Sequence, residues 1–487
     1  ASAHAPPLTP ATATHYPPPP PPPPPRTSPD PHGVPPPGGT PSGDIPQLID
    51  APSLYLAALR ATVDRNRTAK SQGAAAVSST APKTTSSGHI PGTRRPRPPA
   101  APTPPVTPQA RARRALRTAR AAARHAAPAL AAYVAVRLTG LAVLAFWAPR
   151  RHQDLWVNLA AQWDSDWYLG IAEHGYTDEL GTTPNTNNLA FFPLYPVLVK
   201  AVAVLTPGSR ASTGLGLAVV ASLIAAWGIF AVGDRLHGRR VGVLLTTLWA
   251  AFPVGAVQWM GYTESLFTAC AAWALYAVLT GRWLWAAGCA SLAGLTRPTG
   301  VAVAAAVTVT ALLHLLRHRT LAPRIVAAAA LAPLGWCAYL AWVGLRLGRW
   351  DGYFAVQRTW YNELDGGLRT LHQFRWLLWR DPTPQLFLVM VTLTLIGAVV
   401  LFGLSAWDRQ PTALLVYSGV MLAIVLGSGG VYFPRARFLL PAFPLLLPLA
   451  LHLSRASRRH RALVLTTAVL GSTYCGAYML LIWSAAP

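Results

Sequence analysis

From about residue 128 to the C-terminus, apolar stretches of the length a helix needs to cross hydrocarbon follow one another with few charges inside them. They fall at roughly 128–148, 189–206, 212–233, 241–259, 262–280, 283–296, 300–316, 325–345, 385–405, 411–428, 438–453 and 462–483. Such a chain is an all-α polytopic membrane protein, because a helix satisfies its own backbone hydrogen bonds where no water can do so. The net charge of +24 suggests nucleic acid only until it is located. Residues 1–125 hold fifteen Lys/Arg against four Asp/Glu, and much of the remaining excess lies in short loops between apolar segments. Topology explains that distribution, so membrane lipids are the expected partners of the basic residues and nucleic acid is not.

The basic juxtamembrane stretch 111–127 opens with RARRALRTARAAARH (Arg111 to His125) and, by the positive-inside rule, holds this end in the cytoplasm. It is also placed to touch anionic lipid. If 189–206 crossed the membrane, RLHGRR (Arg235 to Arg240), RHRTLAPR (Arg317 to Arg324) and RASRRHR (Arg455 to Arg461) would all face outward, against the rule. Pro193, Pro196 and Lys200 argue the same way, so this segment is expected to lie on the outer surface as an interfacial helix. The expectation is eleven spans in a plasma membrane, with the first outer loop at 149–211 and the short segment 283–296 as the weakest of them. The segments WDSDWY, WMGYTES, TRPTG, YFPRARF and the loop 347–383 then all emerge on the outer face. The inner loops hold little but arginine.

Residues 1–110 are low-complexity, with a run of prolines from Pro17 to Pro25 and then Pro/Ser/Thr/Gly-rich text. Such a segment cannot bury enough apolar surface to offset its ordering entropy, and a disordered cytoplasmic tail is expected. Leu48 to Val63 is a short amphipathic stretch within it. Residues 1–125 lack the apolar core of a cleavable signal peptide. Cys270, Cys289, Cys337 and Cys475 stand singly in apolar stretches, which fits small packing residues and neither a metal site nor a disulfide framework.

The polar chemistry gathers in WDSDWYLGIAEHGY (Trp163 to Tyr176), followed by FFPLYP (Phe191 to Pro196). Leu159 to Glu173 has helical spacing, with Leu159, Trp163, Trp167 and Ile171 as a stripe. On a helix Asp164 and Asp166 point about 200° apart and cannot grip one metal. An extended segment would put both on one side, as a metal-binding pair requires. The helix reading is preferred, leaving Asp164 as a lone carboxylate flanked by Tyr168 and Ile171. Trp163, Trp167 and Tyr168 also suit an aromatic belt at headgroup level. Such a belt does not explain two aspartates at the same depth.

WDSDWYLGIAEHGY, then NLAFFPLYP (Asn188 to Pro196), GYTESLF (Gly261 to Phe267) and LTRPTG (Leu295 to Gly300), resemble the ordered motifs of the PIG-V-like family. This family comprises the second mannosyltransferase of GPI-anchor synthesis and its bacterial relatives. The likeness covers about residues 128–487. It implies a GT-C glycosyltransferase fold, a first outer loop with interfacial helices and an essential acidic residue, and a polyprenyl-phosphate sugar as donor. By position the family's Trp-Asp pair falls on Trp163 and Asp164, which makes Asp164 the candidate catalytic residue and leaves Asp166 a weaker one. Bacterial members lack the GPI pathway, so the acceptor, a lipid or a glycan, does not carry over.

Inverting transfer from a lipid-phosphate sugar needs one base for the acceptor hydroxyl, since phosphate departs without an acid to protonate it. Charge building on that phosphate calls for cations, and Arg297, Arg435 and Arg437 are the candidates. Tyr262 of GYTES is a candidate substrate-binding residue, and Glu264 is placed either to position the acceptor or to bond to a neighbouring helix. The loop 347–383 mixes aromatics with Asp351, Glu363 and Asp365, which suits a sugar-binding cover and equally a plain interfacial loop. No cofactor is expected; a divalent metal belongs to the paired-aspartate alternative. Rival readings are a GT-C enzyme for arabinose or glucose, and a transporter or lipid flippase, which would place its acids at the midplane of broken helices.

Overall fold

The computed structural model describes residues 108–319 and 321–486, with side chains from residue 120 onward. The proline run and the Leu48 to Val63 stretch lie outside the described residues. Among the described residues the secondary structure is helical throughout, apart from one isolated bridge between Leu364 and Ser428. The chain opens with α1 (Pro108–Trp147), which runs unbroken through Pro128 and joins the basic segment to the first apolar one. It therefore begins within the stretch expected to be disordered. Next come α2 (Leu155–Ala160), α3 (Asp164–His174), α4 (Leu194–Ala203), α5 (Arg210–His237), α6 (Arg239–Ala250), α7 (Glu264–Leu279), α8 (Trp283–Gly294) and α9 (Gly300–His318). The second half holds α10 (Pro323–Leu331), α11 (Leu334–Arg346), α12 (Gly352–Thr359), α13 (Leu368–Trp379), α14 (Leu386–Trp407), α15 (Thr412–Gly427), α16 (Arg435–Leu439), α17 (Leu447–Arg455) and α18 (Arg458–Leu481).

Among the described residues, six helical stretches are long and apolar enough to cross a membrane: Arg120–Trp147, Arg210–His237, Gly300–His318, Pro323–Arg346, Leu386–Trp407 and Arg458–Leu481. Six of the eleven expected spans thus meet the length and composition of a membrane helix. The other five segments are shorter helices or are broken. Segment 241–259 divides into α6, an irregular turn around Pro253 and a 3-10 turn at Gly255–Trp259. Segment 438–453 is interrupted at Pro441 and Pro444, where proline removes a donor and fixes φ. These irregular stretches are buried: Val254, Val257, Gln258, Met260 and Tyr262 are all at most 1% exposed. Non-helical backbone is tolerated at membrane depth where protein surrounds it.

Helix α4, ten residues long, rises about 15 Å, half the hydrocarbon thickness. It buries Tyr195, Pro196 and Val199 while Val197 and Lys200 stay exposed. The core is built on close approaches between helices. A Cβ at Gly233 of α5 would sit 2.8 Å from the Cα of Gly242 in α6, so only glycine lets these two backbones meet. Arg137, buried within the first span, donates to the carbonyl of Ala250 at the C-terminal end of α6. That contact satisfies an orphan carbonyl just where the chain turns toward Tyr262 and Glu264.

Candidate active site

The stripe expected to be one continuous helix is two. Asp154 caps α2 by accepting from the amides of Trp156 at 2.8 Å and Val157 at 3.2 Å. The chain then breaks at Ala161 to Trp163, and Trp163 adopts φ 56 and ψ −120, a backbone conformation that costs a bulky residue about 1–3 kcal/mol. Helix α3 starts immediately after, with Asp164 and Asp166 in its first turn, where the helix dipole favours carboxylates, and it stops at Gly175 with φ 86. Trp163 therefore sets the direction in which Asp164 leaves the turn.

Two hydrogen bonds lock this turn onto GYTES. The Gly261 amide donates to the Leu159 carbonyl at 2.7 Å, and the Ser165 hydroxyl donates to the Gly261 carbonyl at 3.1 Å. A Cβ at Gly261 would lie 2.9 Å from Ser165 Oγ and 3.2 Å from the Ala160 carbonyl oxygen, so the approach needs glycine. Aromatic packing joins WDSDWY to FFPLYP. Tyr168 meets Phe191 and Tyr195 edge-on at 5.3 and 5.2 Å. Trp167 stacks on Phe191 at 5.4 Å and meets Trp360 of the 347–383 loop edge-on. The Leu194 amide, at the start of α4, donates to the Leu295 carbonyl of LTRPTG at 2.9 Å.

The charges meet at the centre of these contacts. Asp164 Oδ2 lies 2.9 Å from Arg437 Nη2; Arg437 Nε lies 3.2 Å from Glu264 Oε1; Arg297 Nη1 lies 2.6 Å from the same oxygen. Two carboxylates and two guanidiniums balance one another. Side-chain exposure is 0% for Glu264, 5% for Arg437 and 9% for Arg297, but 19% for Asp164, so the cluster reaches solvent through Asp164. Glu264 Oε1 is within ion-pair distance of both arginines without being aligned for a hydrogen bond to either. Arg297 Nη1 is aligned on Thr263 Oγ1 at 2.9 Å, and the Tyr168 hydroxyl shares that oxygen at 3.1 Å.

Five buried polar atoms of the cluster have no hydrogen-bond partner among the described residues: both carboxylate oxygens of Glu264, Nε and Nη1 of Arg437, and the Tyr262 hydroxyl. Orphan polar atoms of this kind are rare and costly, and they suit a site that receives a polar ligand. The Tyr262 ring lies under the Arg437 guanidinium at 5.0 Å. Burial tends to lower the Arg437 pKa, but Asp164 and then Glu264 outweigh it and hold that pKa above its ordinary value. Burial, followed by the Asp164 charge, pushes the Tyr262 hydroxyl well above its usual pKa, and burial raises Tyr168 as well. Both phenols therefore stay protonated.

Of the residues singled out in the sequence, Asp164, Tyr168, Tyr262, Glu264, Arg297 and Arg437 come together. Trp163 and Trp167 frame the turn and its aromatic contact. Asp166 is exposed, on a different side of α3 from Asp164, and makes no ion pair among the described residues. No group of three or more His, Cys, Asp or Glu side chains there is placed to hold a metal ion. Arg435 lies outside the cluster, bonding Thr370 and the carbonyls of Ser428 at 2.5 Å and Gly430 at 3.2 Å. In the 347–383 loop, Asp351 is held by Arg349 and Arg358, and Asp365 accepts from the amides of Gly367 and Arg369. Thr263 and Ser165 were not singled out, although both lie inside quoted motifs.

No protein-family model matches the chain, and no curated protein does. Among solved structures it is similar to the Archaeoglobus fulgidus oligosaccharyltransferase tethered with an acceptor peptide, at 14% identity and TM-score 0.42, covering 74% of this chain and 56% of that one. It is also similar to archaeal oligosaccharyltransferase AglB from the same organism in complex with an inhibitory peptide and a dolichol-phosphate, at 14% identity and TM-score 0.41, covering 73% and 56%. The chain thus spans about half the length of the proteins it matches, 56% in both cases.

Proposed function

We propose that this chain is a GT-C glycosyltransferase of PIG-V-like type, moving a sugar, mannose by the motif resemblance, from a polyprenyl-phosphate carrier to a hydroxyl of a lipid or glycan acceptor. The observation that carries the reading is the convergence of four distant motifs on one charge-balanced cluster that opens through a single carboxylate. The Asp164–Arg437 pair occupies Oδ2 and leaves Oδ1 for the acceptor. In the step, the acceptor oxygen attacks the anomeric carbon, its proton passes to Asp164 Oδ1, and the carbon–oxygen bond to phosphate breaks with its electron pair going to the phosphate. Arg437, with a free Nη1, and Arg297 beside it face the growing negative charge. Glu264 holds both guanidiniums in place, Tyr262 supports Arg437 from below, and Tyr168 and Thr263 fix Arg297. Trp163 and Trp167 position the turn. Arg435 acts at one remove, by anchoring the segment that leads into Arg437, and Asp166 has no part in the proton transfer.

By the charge distribution, the basic N-terminal end faces the cytoplasm of a plasma membrane and the site faces outward. Membranes containing the protein, incubated with labelled polyprenyl-phosphate mannose, should move label into an endogenous acceptor fraction in proportion to the amount of protein. Label that stays on the carrier, with the glucose and arabinose carriers equally inert, would reject the reading. Transfer from one of those carriers alone would keep the reaction and change the sugar.

A further inference from the structure

Helix α13 has two apolar faces, and only one is covered. Thr370, Phe374 and Leu377 turn inward, while Leu368, Leu371, Trp376 and Trp379 are 71%, 55%, 44% and 74% exposed. The exposed residues recur at helical spacing, and His372 and Arg375 share their side, with Arg380 just beyond the end. Between Leu368 and Arg380 there are three arginines and no acid. The level of the helix is fixed by its neighbours. Thr370 Oγ1 donates to the Leu426 carbonyl at 2.6 Å, at the end of apolar helix α15, and the chain enters span α14 at Leu386, seven residues after Trp379. So α13 lies at the ends of membrane helices, with a basic apolar face turned away from the protein.

We infer that this face docks on the headgroup boundary of the bilayer, with the leucines and tryptophans at the acyl edge and Arg375 and Arg380 against anionic phospholipid headgroups. The docked helix is clasped to the segment that carries Arg437. Arg369 Nη1 donates to the Gly429 carbonyl at 2.9 Å, and Arg435 bonds both Thr370 and the Ser428 carbonyl. Arg435 and Arg437 belong to the same five-residue helix α16. Bilayer contact at α13 therefore steadies the arginine that pairs with Asp164. Only this last consequence rests on the proposed transfer reaction; the docking does not.

The test is collision accessibility of a nitroxide on Leu371→Cys, in a full chain carrying Cys337→Ser, reconstituted in nanodiscs with and without anionic phosphatidylglycerol. A second label on the exposed loop residue Thr383, as Thr383→Cys, serves as an aqueous reference. Docking predicts that oxygen collides with the Leu371→Cys label several-fold more than a water-soluble nickel chelate does. That ratio should fall towards the aqueous reference when the anionic lipid is omitted or when Arg375→Gln and Arg380→Gln are introduced. Nickel collisions at the level of the reference would overturn the proposal by placing the face in water. Low collision with both reagents would overturn it by showing a protein cover, such as a second copy of the chain. A lipid-located label indifferent to lipid charge and to the arginines would overturn the headgroup contact. None of these readouts uses sugar transfer, so a failure here is distinct from a failure of the proposed reaction.

Discussion

Two carboxylates in this molecule each sit between two arginines, in opposite surroundings. Glu264 lies 2.6 Å from Arg297 and 3.2 Å from Arg437 with none of its side chain exposed. Asp351 lies 2.7 Å from both Arg349 and Arg358, whose side chains are 42% and 46% exposed. At the surface, water and salt screen the attraction and stand ready to replace either partner, so such a cluster adds little stability. In the interior no solvent replaces a lost partner, and deleting one charge strands the others. The same sequence elements thus make a loop fastening in one place and a poised, unrelaxable charge array in the other. Asp164 is the only member of the buried array with appreciable exposure, which is why chemistry is assigned there.

This contrast is sharpest at Glu264. Glu264→Gln leaves buried Arg297 without a carboxylate partner and Arg437 with Asp164 alone, and should cost about 3–5 kcal/mol in unfolding of the detergent-solubilised protein; an unchanged melting curve would erase the distinction between the two clusters. Gly261→Ala pushes a methyl group onto Ser165 and the Ala160 carbonyl, and should cost about 1–3 kcal/mol while lowering transfer by misplacing Asp164. Asp166→Asn should change stability by no more than about 0.5 kcal/mol and retain transfer. If it abolished transfer, the two aspartates would have to act together.

The smallest effect is expected at Asp351. Hydrogen bonds from Arg349 and Arg358 lower its pKa to about 2. A depressed carboxylate pKa stabilises the fold above the unfolded value of about 3.9, and that contribution is lost as the pH falls towards about 2. Asp351→Asn should therefore melt slightly below the parent near neutral pH, and the gap should close by about pH 2. A gap that widened on acidification would contradict the assignment.

Much of the architecture was legible because it rests on local rules. Apolar length located the six helices long enough to cross a membrane, and helical phase separated Asp164 from Asp166. The break at Trp163 was not legible, since the turn with its positive φ packs against Gly261, some hundred residues away in the chain. Nor was the shortening of 241–259 and 438–453, where apolar composition disguises irregular backbone buried in protein. Arg435 and Arg437 are instructive. Two residues apart on a helix, they must diverge by about 200°, so only one can meet Asp164. The same rule that separated the aspartates separates the arginines, but only the tertiary structure says which of the two turns inward.

The most direct test is transfer by Asp164→Asn, compared with the parent protein at equal amounts of folded, membrane-inserted protein, using labelled polyprenyl-phosphate mannose. Loss of a positioned base predicts a fall of about 10²–10⁴-fold in rate with carrier binding retained. Transfer at the parental rate by a correctly folded Asp164→Asn protein would contradict the account.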